Sequence, residues 1–170
     1  MTTTDDYWYC PFAYGYSNYA RTGYAKNVLH YGDVISIAGK KFKTTLGGTG
    51  LAVSAFSKHT AVAVRFASMV VSPQWQRTLY AQHGGQPGHL TAWLDADVNH
   101  LTHNFFNNTL PVLTNGYIRP RYNGYLHFQD NAGSLLQECI LQNSNPVTVL
   151  NEMNIIYKQS LMHNKTTVTL

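Results

Sequence analysis

Residues 44–59 read TTLGGTGLAVSAFSKH, with Gly47, Gly48 and Gly50 standing directly before the apolar run Leu51–Ser54. The order of those two parts decides how the chain is read. A phosphate-cradling loop needs a strand first, then glycines, then a helix whose N-terminus faces the anion. Here the glycines come first, and Ser57-Lys58 falls too late to supply the lysine of a GxxxxGK[ST] loop. A dinucleotide loop fails for the same reason. The glycines therefore read as a turn entering a short strand, with backbone open to close approach by a ligand.

Upstream of this turn the signals are those of strands and loops. Tyr7–Phe12 is aromatic and reads as extended, with Pro11 near its end. Tyr14, Tyr16, Tyr19 and Tyr24 crowd a glycine-containing loop, and Val34–Ile37 with Lys41–Thr45 alternate around Ala38-Gly39 as a hairpin. Downstream, helices dominate. Thr60–Val71 carries Val64, Ala67 and Val71 on one face, with Thr60 at the N-cap. Ser72-Pro73 supplies a cap and a first-turn proline for a helix to about His83, which Gly84-Gly85 stops. A third helix is expected from Asp95 or Asp97 through Phe106, interrupted near Pro111. After an extended break at Arg119-Pro120, a fourth runs from about Leu126 to Gln142. A fifth follows Asn145-Pro146, with Leu150, Met153, Ile156 or Tyr157, and Leu161 at core spacing. The tail from Lys165 to Leu170 has no visible role.

A chain of 170 residues with 44% hydrophobic residues can bury a stable core. Only 12% of residues are charged, about half the usual share. Tyrosine and asparagine are abundant, so the surface suits neutral, hydroxyl-rich partners. The net charge of +4 comes from scattered basic residues, the densest group being Lys40, Lys41 and Lys43. Nucleic-acid binding needs a clustered basic face, and none is expected. Cys10 and Cys139 are the only cysteines and have no metal spacing; one disulfide and two free thiols both stay open. No run of 18 apolar residues exists, and MTTTDD at the start lacks the features of a signal peptide, so no export signal is read in this chain.

Chemistry finds little purchase. No GxSxG, supported Cys-His pair or closely spaced carboxylate pair is present, and no enzyme, cofactor or metal is expected. A rival reading makes the chain a small stand-alone metal-binding or hydrolytic protein. It uses His100, His103 and Asp97, which share a face if one helix carries all three. A third reading is an interaction module using exposed aromatics. His83 and His89 bracket GGQPG and read as incidental loop residues.

The motifs in their order, TTLGGTGLAVS, SKH, AVAVRFASMVVSPQWQ, GGQPG, IRPRYNGY and NPVTVLNEM, resemble the C-terminal part of the family 1 extracellular solute-binding proteins. Those proteins serve ATP-driven importers, mostly for sugars. The resemblance spans about residues 43–161 and would match the final two fifths of proteins of about 400 residues in two lobes. It implies an α/β, helix-rich chain with a partial periplasmic-binding-protein-like (type II) fold, contributing to both lobes. Residues 1–45 would be second-lobe strands and loops, 46–56 a hinge-crossing strand and 57–83 first-lobe helices. Residues 84–92 would be the return crossing and 93–163 the closing helices of the second lobe. It also implies a periplasmic or cell-surface location, a carbohydrate-type solute, a membrane permease of an ABC importer as partner, and a chain that is a C-terminal fragment.

By position, the resemblance puts Gly47, Gly48 and Thr49 on the interlobe cleft. Thr49 stands where the family often has a stacking tryptophan. Tyr122 and Tyr125, after Arg119-Pro120, match the segment that offers rings to ligand. Tyr14, Tyr16 and Tyr19 have no counterpart in the family and are cleft candidates from the residues alone, because aromatic faces suit the apolar CH faces of sugar rings.

Overall fold

The computed structural model describes residues 1–11 and 13–162. It is helix-rich and resolves into two compact units, Met1–Ile118 and Arg119–Leu170. The division falls at the Arg119-Pro120 break. No helix among the described residues is long and apolar enough to cross a membrane.

The first unit opens irregularly. Tyr7–Pro11 forms no regular element, and residue 12 lies outside the described residues. A 3-10 turn, Ser17–Ala20, follows. The hairpin at Ala38-Gly39 forms, but each strand is two residues long: β1 (Ser36–Ile37) pairs antiparallel with β2 (Lys40–Lys41). Ala38 (φ 50°) and Gly39 (φ 76°) both sit left-handed, as a primed hairpin turn requires. The strand expected over Leu51–Ser54, and with it a crossing strand over 46–56, does not form. In its place Thr45 makes an isolated parallel bridge to Tyr117. The three glycines and Thr49 find no second strand to pair with, so the backbone beyond the bridge stays irregular.

Helix α1 (Thr60–Val70) is capped at His59 rather than Thr60, whose hydroxyl instead donates back to the Ser57 carbonyl at 2.9 Å. None of its residues is buried, and Val64 and Val71, expected on a core face, lie exposed. Among the described residues, only Ala63, Ala67 and Val70 of this helix are partly covered. Helix α2 (Pro73–Trp75) starts as the sequence signals: the Ser72 hydroxyl accepts from the Trp75 amide at 3.4 Å, and Pro73 occupies the first turn. The helix then widens into a π-turn over Gln76–Tyr80, where Thr78 leaves helical geometry, and it stops at Gly84 (φ 86°).

The helix expected from Asp95 or Asp97 through Phe106 is two helices, and a short helix that was not expected precedes them. Helix α3 (Leu90–Trp93) is capped by the His89 imidazole. Helix α4 (Ala96–Leu101) is capped by Asp95, whose carboxylate accepts from the amides of Asp97 at 3.0 Å and Val98 at 3.1 Å. Helix α5 (Phe105–Thr114) begins after His103 (φ 47°) and Asn104 (φ 61°) turn the chain left-handed. The break therefore lies at 102–104, and α5 runs through Pro111 instead of stopping there. Asn99, buried, holds the break. Its amide donates to the carbonyls of Trp93 at 2.7 Å and Asp95 at 2.9 Å, and its oxygen accepts from the Asn107 amide at 2.9 Å. One side chain thus satisfies orphan groups on both sides of the turn. The core gathers here: Ala20, Ala81, Trp93, Val98, Phe105 and Phe106, with Tyr31 and Leu110 against it.

The Asp95 carboxyl is held below the usual carboxylate value, chiefly by the Val98 amide and then by Arg77, which meets it at 2.7 Å. A depressed folded-state value stabilises the fold fully above the unfolded carboxylate pKa of about 3.9, and the effect is lost as pH falls through that value toward the folded one. Asp95→Ala should cost about 0.5–2 kcal/mol between pH 5 and 7, and the gap to the parent should narrow below about pH 4. Urea unfolding across that range checks it; a gap unchanged at pH 3 contradicts the ionic account.

The second unit is an antiparallel hairpin of α6 (Tyr125–Gln142) and α7 (Pro146–Met162). Asn145 accepts from the Val147 amide at 2.9 Å and Pro146 fills the first turn, as expected. The inward side of α7 is Val149, Met153, Ile156 and Ser160, whereas Leu150 and Leu161, expected in the core, are exposed. The expected stripe is a mixture of two. Cys10 and Cys139 are not joined in a disulfide. Residues 163–170, which include the end of the expected closing segment and the Lys165–Leu170 tail, lie outside the described residues.

Candidate functional site

Two tyrosine-bearing stretches and one glycine turn were expected to share a site; the structure brings only part of them together. In the first unit, Gln86 from GGQPG clamps the Tyr14–Ser17 loop. Its side-chain oxygen accepts from the Ser17 amide at 3.0 Å, and its amide donates to the Gly15 carbonyl at 3.2 Å. Gly15 lies flat on the core, since a Cβ there would stand 3.0 Å from the Phe105 ring. Burial pushes the Tyr31 phenol up from its ordinary value, and Tyr31 also hydrogen-bonds the Tyr16 main chain. The loop is thus held from below while Tyr14 and Tyr16 remain exposed, Tyr14 by 59%.

The glycine turn reaches this loop. The Leu46 amide donates to the Tyr117 carbonyl at 2.9 Å, the Tyr117 amide donates to the Thr44 carbonyl at 2.7 Å, and the Leu46 side chain sits on Gly116. That anchor carries Gly47 to the Tyr14 ring, which lies 3.9 Å from the position of a Gly47 Cβ. Gly48, Thr49 and Gly50 continue exposed, with nothing within 4 Å of a Cβ at Gly48 or Gly50. Tyr14 and Gly47 therefore meet in one surface. Tyr117, exposed by 47%, borders it through its backbone bridge to Thr45. Sequence reasoning passed over Tyr117; the signal was Asn115-Gly116, a turn pair directly before an aromatic.

The remaining candidates go elsewhere. Tyr19 is half-buried and packs edge-on against Tyr24 at 5.1 Å. Tyr122 and Tyr125 are half-buried in the second unit, ring to ring at 5.8 Å. The Tyr122 hydroxyl is paired with Ser160 at 2.9 Å, and both Tyr122 and Phe128 pack edge-on against Tyr157. Their rings close the hairpin.

The metal alternative loses its geometry. Asp97 and His100 lie on α4, but His103 follows the helix end in a left-handed conformation, so the three share no helical face. The His103 Nδ1 stands 2.7 Å from the Ala20 carbonyl, and its ring is edge-on to His30 at 5.7 Å. Among the described residues no three His, Cys, Asp or Glu side chains converge as metal ligands. A half-open groove of about 280 Å³ runs between α6 and α7, lined by Glu138, Cys139, Gln142, Thr148 and Glu152, none of them an expected site residue.

No protein-family model matches the chain, and no curated protein or solved structure matches it.

Proposed function

We propose that the chain binds a neutral, hydroxyl-rich solute of the carbohydrate type on the surface formed by Tyr14, Tyr16, Gly47, Gly48 and Thr49. The observation that carries this reading is the Tyr14 ring resting on Gly47 in a loop clamped by Gln86. An exposed ring on a rigid base presents a flat apolar face without ordering cost, and the bare glycine backbone beside it offers amides and carbonyls to hydroxyls. The low charge of the chain supports an uncharged ligand. The motif order that resembles the family 1 solute-binding proteins supports placing this surface on a type II solute-binding fold. There the captured sugar passes to the permease of an ATP-driven importer, at the cell surface or in the periplasm. Binding, with no covalent step, is the whole of the activity.

One aromatic face and an open turn give weak affinity, with a Kd in about the millimolar range. In a nuclear magnetic resonance titration against a panel of mono- and disaccharides, shifts should concentrate at Gly47–Gly50 and the Tyr14 loop. Tyr14→Ala should raise Kd about tenfold with the fold intact. No response to any sugar-like solute, or shifts confined to the second unit, would overturn the reading.

A further inference from the structure

The α6–α7 hairpin is apolar on two sides. Its inward stripes are Phe128, Ala132, Leu135 and Cys139 on α6, and Val149, Met153, Ile156 and Ser160 on α7. A second set lies outside: Leu126, Leu136 and Ile140 on α6, with Val147, Leu150 and Leu161 on α7. Their exposures run from 38% at Leu161 to 73% at Ile140. At 3.6 residues per turn, each outer stripe is displaced by about 115° from its inward stripe, and in the same rotational sense on both helices. Two antiparallel helices with the same displacement carry their outer stripes on the same side of the hairpin. The six side chains therefore form one continuous face. Gly133 sits in its middle on α6, with nothing within 4 Å of a Cβ there.

We infer that this face pairs with the same face of a second copy of the chain, giving a two-fold four-helix bundle. Size and charge select that occupant. At about 100 Å² of apolar surface per fully buried aliphatic side chain, the six side chains expose on the order of 350 Å². A stable homodimer buries about 800 Å² per partner, about 65% of it apolar, and the six supply the larger part of that apolar share. The rest of the face is uncharged amide, from Gln129, Gln137, Asn151 and Asn154.

Asp130 and Lys158, of opposite sign, flank the face at the same end of the hairpin, where Phe128 packs on Tyr157, and Arg119 lies beside them on Gln129 at 3.5 Å. A two-fold axis parallel to the helices lays each α6 over the partner's α7. That puts Asp130 of one copy opposite Lys158 of the other, the self-complementary arrangement an isologous contact needs.

Sedimentation equilibrium of the whole chain should give twice the 19.1 kDa chain mass. Leu136→Glu with Ile140→Glu should yield a monomer of unchanged helical content. Lys158→Asp should weaken the dimer about tenfold, and adding Asp130→Lys should restore it. Phe66→Glu, on the exposed α1, should leave it a dimer. A monomeric parent, a glutamate variant that still dimerises, or association without defined stoichiometry overturns the inference. So does loss of the dimer in Phe66→Glu, or charge variants that leave its affinity unchanged.

Discussion

Phe106→Ala should cost the first unit about 3–5 kcal/mol, enough to unfold much of it at ordinary temperature. Phe106 is 0% exposed and stands between Trp93, at 4.9 Å, and Phe105, at 5.0 Å, each ring meeting it edge-on. Those edge contacts add to the area the ring removes from water. The core has few other large side chains, so the space left cannot be refilled by small shifts of its neighbours. Phe106 also joins α5 to α3, and Asn99 ties α3 and α4 to the start of α5. The loss is therefore felt by all three helices. Trp93 reports the result directly: its fluorescence-monitored urea midpoint should fall sharply in Phe106→Ala. A change below about 1 kcal/mol contradicts the core as described.

Gly124→Ala should be the most damaging single change in the second unit. Gly124 precedes α6 at φ 103°, where an L side chain is strained, and a Cβ there would stand 2.3 Å from the Ser160 carbonyl oxygen. That neighbour is backbone in the last turns of α7, so relief means moving one helix away from the other. Backbone strain and displacement together should cost about 2–4 kcal/mol. The same movement breaks the Tyr122–Ser160 hydrogen bond and loosens the Phe128–Tyr157 contact. Gly133→Ala is the internal contrast. Gly133 lies inside α6 with open space around it, and alanine there should stabilise the helix by about 0.5–1 kcal/mol. Helical content and thermal midpoints of the two variants should move in opposite directions. Equal effects contradict the close approach at Gly124.

The same two sites illustrate what was legible beforehand. Gly133 falls inside a segment the sequence marks as helix, and nothing stands within 4 Å of a Cβ there. Gly124 looked like any glycine in a tyrosine-rich segment, because its constraint comes from Ser160, 36 positions later. The candidate surface divides in the same way. The glycine turn and the tyrosine loop could each be picked out from composition. Their meeting depends on Leu46 seating on Gly116 and on Gln86 holding Gly15, contacts that no periodicity encodes. Tyr122 and Tyr125 look the same in sequence as Tyr14 and Tyr16. Only the hairpin makes them half-buried and pairs the Tyr122 hydroxyl with Ser160.

By itself the sequence determined the punctuation of this protein. The Ser72-Pro73 and Asn145-Pro146 starts, the Gly84 stop and the Ala38-Gly39 turn all rest on hydrogen bonds and φ preferences spanning a few residues. Such local terms act wherever the chain goes. Tertiary structure alone decided the break at His103-Asn104, which Asn99 holds by satisfying groups on three helical segments at once. It also decided which apolar stripes are covered. Hydrophobic spacing marks a helix face as fit for burial, but burial needs a partner. On α1 and on the outer side of α6 and α7, the described residues leave most apolar side chains exposed.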